Sequence, residues 1–360
     1  MAYSGVTKGE SKMNVVNWTG NAAVRSITGV GFKPDIVWTK TTAYTTDWQC
    51  FNIPQGANKR LKLNESDAQA TYTDALTSFE TDGFNLGANA DINANGNTYY
   101  GWCFKGAGTA SANSDGSAAN VTVSADTTAG ISVVKFDIGQ SATTIGHGLG
   151  VAPKVIIMKE ITGSSNWITG GFGMDWNGYY LFNTNADFYN SGDASTGSGR
   201  MFKAGGTEPT TTVWHSNGSA WLSGSTQTAI AYCFAEKPGF SSFGNYKGNG
   251  GSDGAFVYTG FRPKMVICKK SSGDDAWNLY DDTRSASGGT NLNSYYIKPN
   301  ESSAQGTSTS ASIDIVSNGF KLRGNDGGMN GTGATYIYMA FAKSPFVANV
   351  GSNGIPTTAF

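Results

Sequence analysis

Five short stretches of this 360-residue chain carry residue types whose spacing is suited to chemistry. The segment GGSDG (250–254) fits the GxSxG pattern of a nucleophile elbow around Ser252. An elbow needs a strand-to-helix turn and a histidine later in the chain to take the hydroxyl proton. The two histidines, His147 and His215, both come earlier, and no helix signal follows, so a linker turn is expected. GHGLG (146–150) lacks the GxGxxG spacing of a phosphate-cradling loop, and Pro153 with an apolar run stands where a helix should open. A tight turn is expected there, with His147 at a turn or edge. DINANG (91–96) begins like an EF-hand loop, but the twelfth position is Trp102 instead of a bidentate glutamate. That leaves a looser calcium site on Asp91 and backbone carbonyls, or an Asx-rich turn. The pairs Asp274-Asp275 and Asp281-Asp282 read as solvated loop charge, since adjacent residues do not face one another across a cleft as glycosidase carboxyls do. No catalytic residue, metal site or cofactor is assigned.

Binding chemistry has a better candidate. The stretch GGFGMDWNGYYLFNTNADFYN (170–190) interleaves aromatic rings with Asn and Asp. Flat rings beside hydrogen-bonding side chains suit a sugar, although alternate strand residues must face inward. Trp176, Tyr179, Asp187 and Tyr189 are the candidate glycan-binding residues. Trp176 and Tyr179 are expected to be partly exposed, near Asp187 and Tyr189, in a shallow groove.

These residues need a scaffold, and composition says which. Glycine is abundant at 49 residues, charged residues are scarce at 14%, and aromatics reach 12%. Gly-rich turns between aromatic and β-branched runs indicate an all-β protein. The net charge of −1 comes without a basic stripe, which argues against nucleic acid. The apolar runs are too short to span a membrane, and the N-terminus has no apolar export segment. Cys50, Cys103, Cys233 and Cys268 form no CxxC pair and read as buried, unpaired thiols.

One phrase occurs three times: GFKPDIVWTK (31–40), GVAPKVIIMKE (150–160) and GFRPKMVICKK (260–270). From Pro34, Pro153 and Pro263, a lysine follows at the same distance (Lys40, Lys159, Lys269), then a tryptophan (Trp48, Trp167, Trp277). Pro, then an apolar run, then Lys describes a strand buried on both faces, begun by the proline and leaving the core at the lysine. The tryptophans share the register and belong to the core, each within its own copy. Hairpin signals follow at ETDGFNL (80–86), HSNGSAWL (215–222) and VSNGFKL (316–322), with Asp-Gly or Asn-Gly expected to supply a type I′ turn. Each copy closes on an aromatic strand that aligns Cys103, Cys233 and Ala340, so that position is a tight packing site. Three tandem β-sandwich domains are expected at 1–110, 111–247 and 248–360. The Gly/Ala/Ser-rich stretch 106–120 reads as a linker, followed by entry strands over 121–136.

GHGLGVAPKVIIMKE, AIAYCFAEKPGFSSFGNYKGNGG, VYTGFRPKMVICKK and SNGFKLR…YIYMAFAKSPF together resemble a repeat family of marine bacteriophage tail and fibre structural proteins, over roughly 130–346, with a divergent copy at 13–105. The resemblance implies jelly-roll or concanavalin-like sandwiches in a virion-surface protein, made in the host cytoplasm and released by lysis. A tail-fibre adhesin recognising a host surface polysaccharide is the leading expectation, with no enzymatic activity. The implied partners are other virion proteins, and a homotrimer is the expected assembly. The alternatives are a capsid decoration or tail connector protein without host recognition, and a polysaccharide depolymerase.

Overall fold

The computed structural model describes residues 5–190, 201–217, 221–285, 291–345, 347–350 and 353–356. Strand accounts for 46% of the chain and helix for 4%, which makes the class all-β. The ladders between named strands are antiparallel, and the sheets stack in a sandwich-like manner.

The repeated phrase forms Ile36–Thr41, Val155–Glu160 and Phe261–Lys270. Every residue of the first two is buried, as their apolar runs require. Each strand lies between the closing aromatic strand of its copy (Thr98–Phe104, Thr226–Phe234, Thr335–Pro345) and a strand at its tryptophan (Gln49–Asn52, Ile168–Gly171, Trp277–Asp281). Beyond the closing strand lies Met13–Thr19, Ile131–Gly139 or Ser241–Lys247. Ser241–Lys247 therefore pairs with the closing strand of the third copy. Pro34 and Pro153 precede their strands, whereas Pro263 lies inside its strand at a register shift, where a missing N–H is tolerated.

Side-chain alternation sends the two faces of the first two strands to different clusters, while both faces of the third, including Val266 and Cys268, stay in the main one. Ile36, Trp38, Val155, Ile157, Met265 and Ile267 join one apolar cluster that draws on all three copies. Val37 turns the other way, toward Phe84 and Leu86 of a small outer sheet, and Ile156 and Met158 turn toward Ile145 and Trp214. The main core is thus shared, where sequence suggested a separate core per copy. At its centre Phe104, Phe234 and Phe341 meet at centroid distances of 6.0, 5.4 and 5.6 Å. Each immediately follows the aligned position Cys103, Cys233 or Ala340, so equivalent residues of the three copies meet in one triad. The four cysteines are buried and free, as expected.

The copies close into a ring. Trp48 donates its indole N–H to the Lys298 carbonyl (2.8 Å), Trp167 to that of Lys62 (2.8 Å) and Trp277 to that of Leu181 (3.2 Å). Copy one thereby reaches copy three, two reaches one, and three reaches two. The tryptophan backbone N–H groups donate within their copies, to Oδ1 of Asn64, Asn183 and Asn300 at 2.8–2.9 Å. All three rings are buried, but Trp277 packs on Phe182 and Phe172 of copy two (4.9 and 6.1 Å), not only within its own copy.

Several sequence expectations change for identifiable reasons. The Asp-Gly and Asn-Gly hairpins at 80–86 and 316–322 exist, but Asp82 and Asn318 do not have positive φ, so the turns are not type I′. The glycines are needed for close approach instead: a Cβ at Gly83 would lie 2.0 Å from the Ile27 carbonyl oxygen, and one at Gly319 would lie 2.1 Å from that of Val257. The supposed linker is pinned by buried Asp35, whose carboxylate accepts from the N–H groups of Gly106 (2.8 Å) and Gly108 (2.9 Å) and from the Ser124 hydroxyl. The entry strands are present as Ala119–Asp126 and Ile131–Gly139. Asp281 and Asp282 are buried, not solvated. Asp282 pairs with Lys264 (2.8 Å) and Lys343 (2.7 Å), and Asp281 with Arg284 (2.6 Å).

The repeat lysines also stay inside. Lys40, Lys159 and Lys269 are fully buried, and desolvation lowers each from 10.5 to about 8. Glu160 and then Asp67 oppose that shift at Lys159. Between about pH 8 and 10.5 the unfolded chain holds a proton at Lys159 that the folded chain has released, so this site adds stability as pH rises through that window. Relative to Lys159→Met, the wild type is expected to gain on the order of 3 kcal/mol across it. Urea denaturation of both proteins at pH 7 and pH 10 measures the difference, and other titrating groups cancel. A pH-independent difference would refute the burial of a chargeable amine there.

Candidate functional site

At the seam between copies one and two lies a groove of about 530 Å³. Copy one contributes Ser66. Copy two contributes the turn Ser164-Ser165-Asn166 before Trp167, the strand residues Ile168, Tyr179 and Leu181, and then Tyr189, Trp221 and Ser223. Tyr179 and Tyr189 sit opposite one another on the ladder between Gly178–Leu181 and Tyr189–Asn190. Their rings stack at 5.3 Å with planes 9° apart. Tyr179 is half-buried, and burial raises its phenol pKa, with Tyr189 alongside adding to the shift. Tyr189 is 43% exposed, so its ring offers a face to solvent at the groove edge. Trp221 is nearly buried and is fixed by its indole N–H, which donates to the Asn166 carbonyl (2.9 Å).

The candidate residues are divided by the structure. Tyr179 and Tyr189 are brought together in the groove. Trp176 is buried, contrary to expectation, because its ring packs edge-on against Phe202 at 5.9 Å and over Gly171, whose absent side chain leaves it room. Asp187 does not line the groove. Its carboxylate accepts from the Phe188 N–H (2.6 Å), and its own N–H donates to Asp274 of copy three (2.8 Å), which fastens the opposite seam.

Sequence reasoning did not single out Trp221, Ser165, Ser223 or the buried Glu160 behind them. The carboxylate of Glu160 accepts from both serine hydroxyls and from the Ser223 N–H (2.9 Å). A signal for them existed as a break in the repeat. Glu160 faces Ala229 across the ladder, where the other copies place Thr41 opposite Tyr99 and Lys270 opposite Tyr336. Tyr99 and Tyr336 anchor the short helices Ala90–Asn93 and Gly327–Asn330 by donating to the carbonyls of Ala90 (2.9 Å) and Gly327 (2.6 Å). Copy two lacks that ring, having Ala229 there, and carries the Glu160–serine network instead.

The corresponding corners of the other copies differ. Arg60 and Tyr296 stand where Tyr179 does, each four residues before the conserved-register asparagine of its copy. Arg60 lies over Tyr72 (3.5 Å) and pairs with Asp91 (2.6 Å), while Tyr296 lies over Gly306. The seam between copies three and one has a groove of about 380 Å³ whose lining, including Thr45, Glu65, Glu301 and Ser302, holds no aromatic ring. The stacked tyrosine pair is therefore particular to copy two.

The other chemical candidates are occupied by structural contacts. Asp91 is engaged by Arg60, and the neighbouring Asn93 turns its Nδ2 donors to the carbonyls of Ala23 and Gly87 (both 2.7 Å), the reverse of what a cation needs. Among the described residues no group of three metal-ligating side chains converges. His147 lies in the turn after the strand Ala142–Gly146, as expected, and is buried there: Nδ1 accepts from the Leu149 N–H (3.2 Å), leaving Nε2 to donate to the Thr210 carbonyl (3.2 Å). Burial lowers its pKa.

No curated protein and no solved structure matches the chain. One family model, described as a domain of unknown function (DUF7483), matches residues 8–345. That match covers all three copies and both seam grooves, and the chain belongs to this family.

Proposed function

We propose that the protein is a bacteriophage virion-surface protein, a tail-fibre adhesin of three tandem sandwich repeats, and that the groove between copies one and two binds a glycan of the host surface. The observation that carries this reading is the stacked Tyr179–Tyr189 pair at the edge of a groove otherwise lined by serine, asparagine and apolar side chains. A pyranose has an apolar C–H face and a rim of hydroxyls. The exposed tyrosine face takes the first and the small polar side chains take the second. The virion assignment rests on the repeat resemblance. A ring contact of this kind contributes about 1 kcal/mol, so a single groove binds weakly. Presentation as a homotrimer anchored to other virion proteins multiplies that without new contacts.

Tyr189→Ala is the direct test, because the residue is exposed and its loss spares the core. Affinity for host surface polysaccharide is expected to fall about fivefold, with the urea midpoint unchanged. A folded Tyr189→Ala protein that binds as the wild type does would refute the assignment. A decoration or connector role has one observation in its favour: Phe256 and Tyr258 are 48% and 59% exposed on an outer strand. Under that reading Phe256→Ser with Tyr258→Ser would block virion assembly, and the wild-type protein would bind no host polysaccharide.

A further inference from the structure

Two of the groove's hydroxyl protons, those of Ser165 and Ser223, are already committed. Glu160 is fully buried behind the wall, and a carboxylate can only accept. Ser223 donates both its hydroxyl and its N–H to that carboxylate. Ser165 has a single hydroxyl proton and two protein acceptors within reach, Glu160 and the Trp221 carbonyl (2.8 Å). Toward the groove these two serines therefore turn lone pairs only.

No Lys or Arg lines the groove among the described residues. The lysine beside Glu160 faces elsewhere: Lys159 directs Nζ to the carbonyl oxygens of Glu160 and Gly163. A sugar hydroxyl arriving here supplies the proton that the serine oxygens lack. At these two serines a carboxylate or sulfate meets only further acceptors and sheds water without replacement there, which is costly.

Building on the glycan-binding reading, we propose that the groove selects neutral, hydroxyl-rich sugars over those bearing carboxylate or sulfate, and that Glu160 is the positioning residue that sets this preference through Ser165 and Ser223. The device belongs to copy two alone, since Thr41 and Lys270 occupy the equivalent positions.

The test uses the full chain and matched backbones. Alginate, polygalacturonate and xanthan are each offered native and carboxyl-reduced, and binding is measured by calorimetry. The reduced form of any bound backbone is expected to bind at least about tenfold tighter than the native acid. In Glu160→Gln the amide N–H₂ can donate, which frees a serine proton for the groove, and the preference should fall below about threefold. Tyr189→Ala should weaken both forms alike. Equal or tighter binding of the native acids by the wild type overturns the selectivity while leaving glycan binding standing. Binding of neither form of any backbone counts against the glycan reading itself. If Glu160→Gln fails to fold, the wild-type ratio still decides.

Discussion

Trp277→Ala is expected to lose about 3–5 kcal/mol of stability, a large fraction of what a folded protein has. The ring is buried at the seam between copies two and three, against Phe172, Tyr180 and Phe182. Truncation leaves a cavity between copies and strips the Leu181 carbonyl of its indole donor. Trp277→Phe separates these effects: it keeps most of the packing and loses the hydrogen bond, for about 1–2 kcal/mol. Urea denaturation followed by fluorescence measures both. If Trp277→Ala costs less than Trp277→Phe, the ring is not a seam residue.

The second large effect is expected at Asp281. Its carboxylate is fully buried and accepts from Arg284 Nε (2.6 Å), from the indole N–H of Trp102 in copy one (3.1 Å), and from the backbone N–H groups of Thr283 and Arg284 (3.1 and 2.9 Å). Arg284 is itself buried, its guanidinium 5.2 Å from the Trp102 ring. Asp281→Ala leaves that cation without its partner, at a cost of about 3–5 kcal/mol. Removing both charges in Asp281→Ala/Arg284→Met should restore part of the loss, because most of the penalty is the stranded charge. Strictly additive costs in the double-mutant cycle would show that the pair is not coupled.

What could be read in advance follows the range of the interaction. The buried strands after Pro34, Pro153 and Pro263 were legible because a short apolar run between a proline and a lysine has few other uses. The fully buried tryptophans followed from their shared register. The ring closure was not legible. Trp48 and Lys298 lie in the first and last copies, and repetition reveals that copies are alike without revealing how they touch. The same limit explains Trp176, whose covering ring Phe202 comes from beyond its own loop. It explains Asp281-Asp282 as well, where an adjacent pair looks solvated until Lys264, Lys343 and Arg284 converge on it. Tyr179 and Tyr189 were recoverable because their contact is local, two strands of one ribbon. Glu160 was hidden by its own copy, since only comparison with Thr41 and Lys270 makes it unusual.

The closed ring of copies has a consequence for how such a protein can change. In a trimer of identical subunits every substitution is made three times, so a costly change is felt at three seams at once. Here one polypeptide holds three equivalent corners, and a codon changes only one of them. Arg60, Tyr179 and Tyr296 differ accordingly: one corner is an ion pair, one a stacked aromatic pair, and one a ring over glycine. A change at one corner leaves the other two corners as they are, with Phe104, Phe234 and Phe341 still joining the three copies. Joining the copies end to end thus frees each corner to specialise at a third of the cost that strict symmetry would impose.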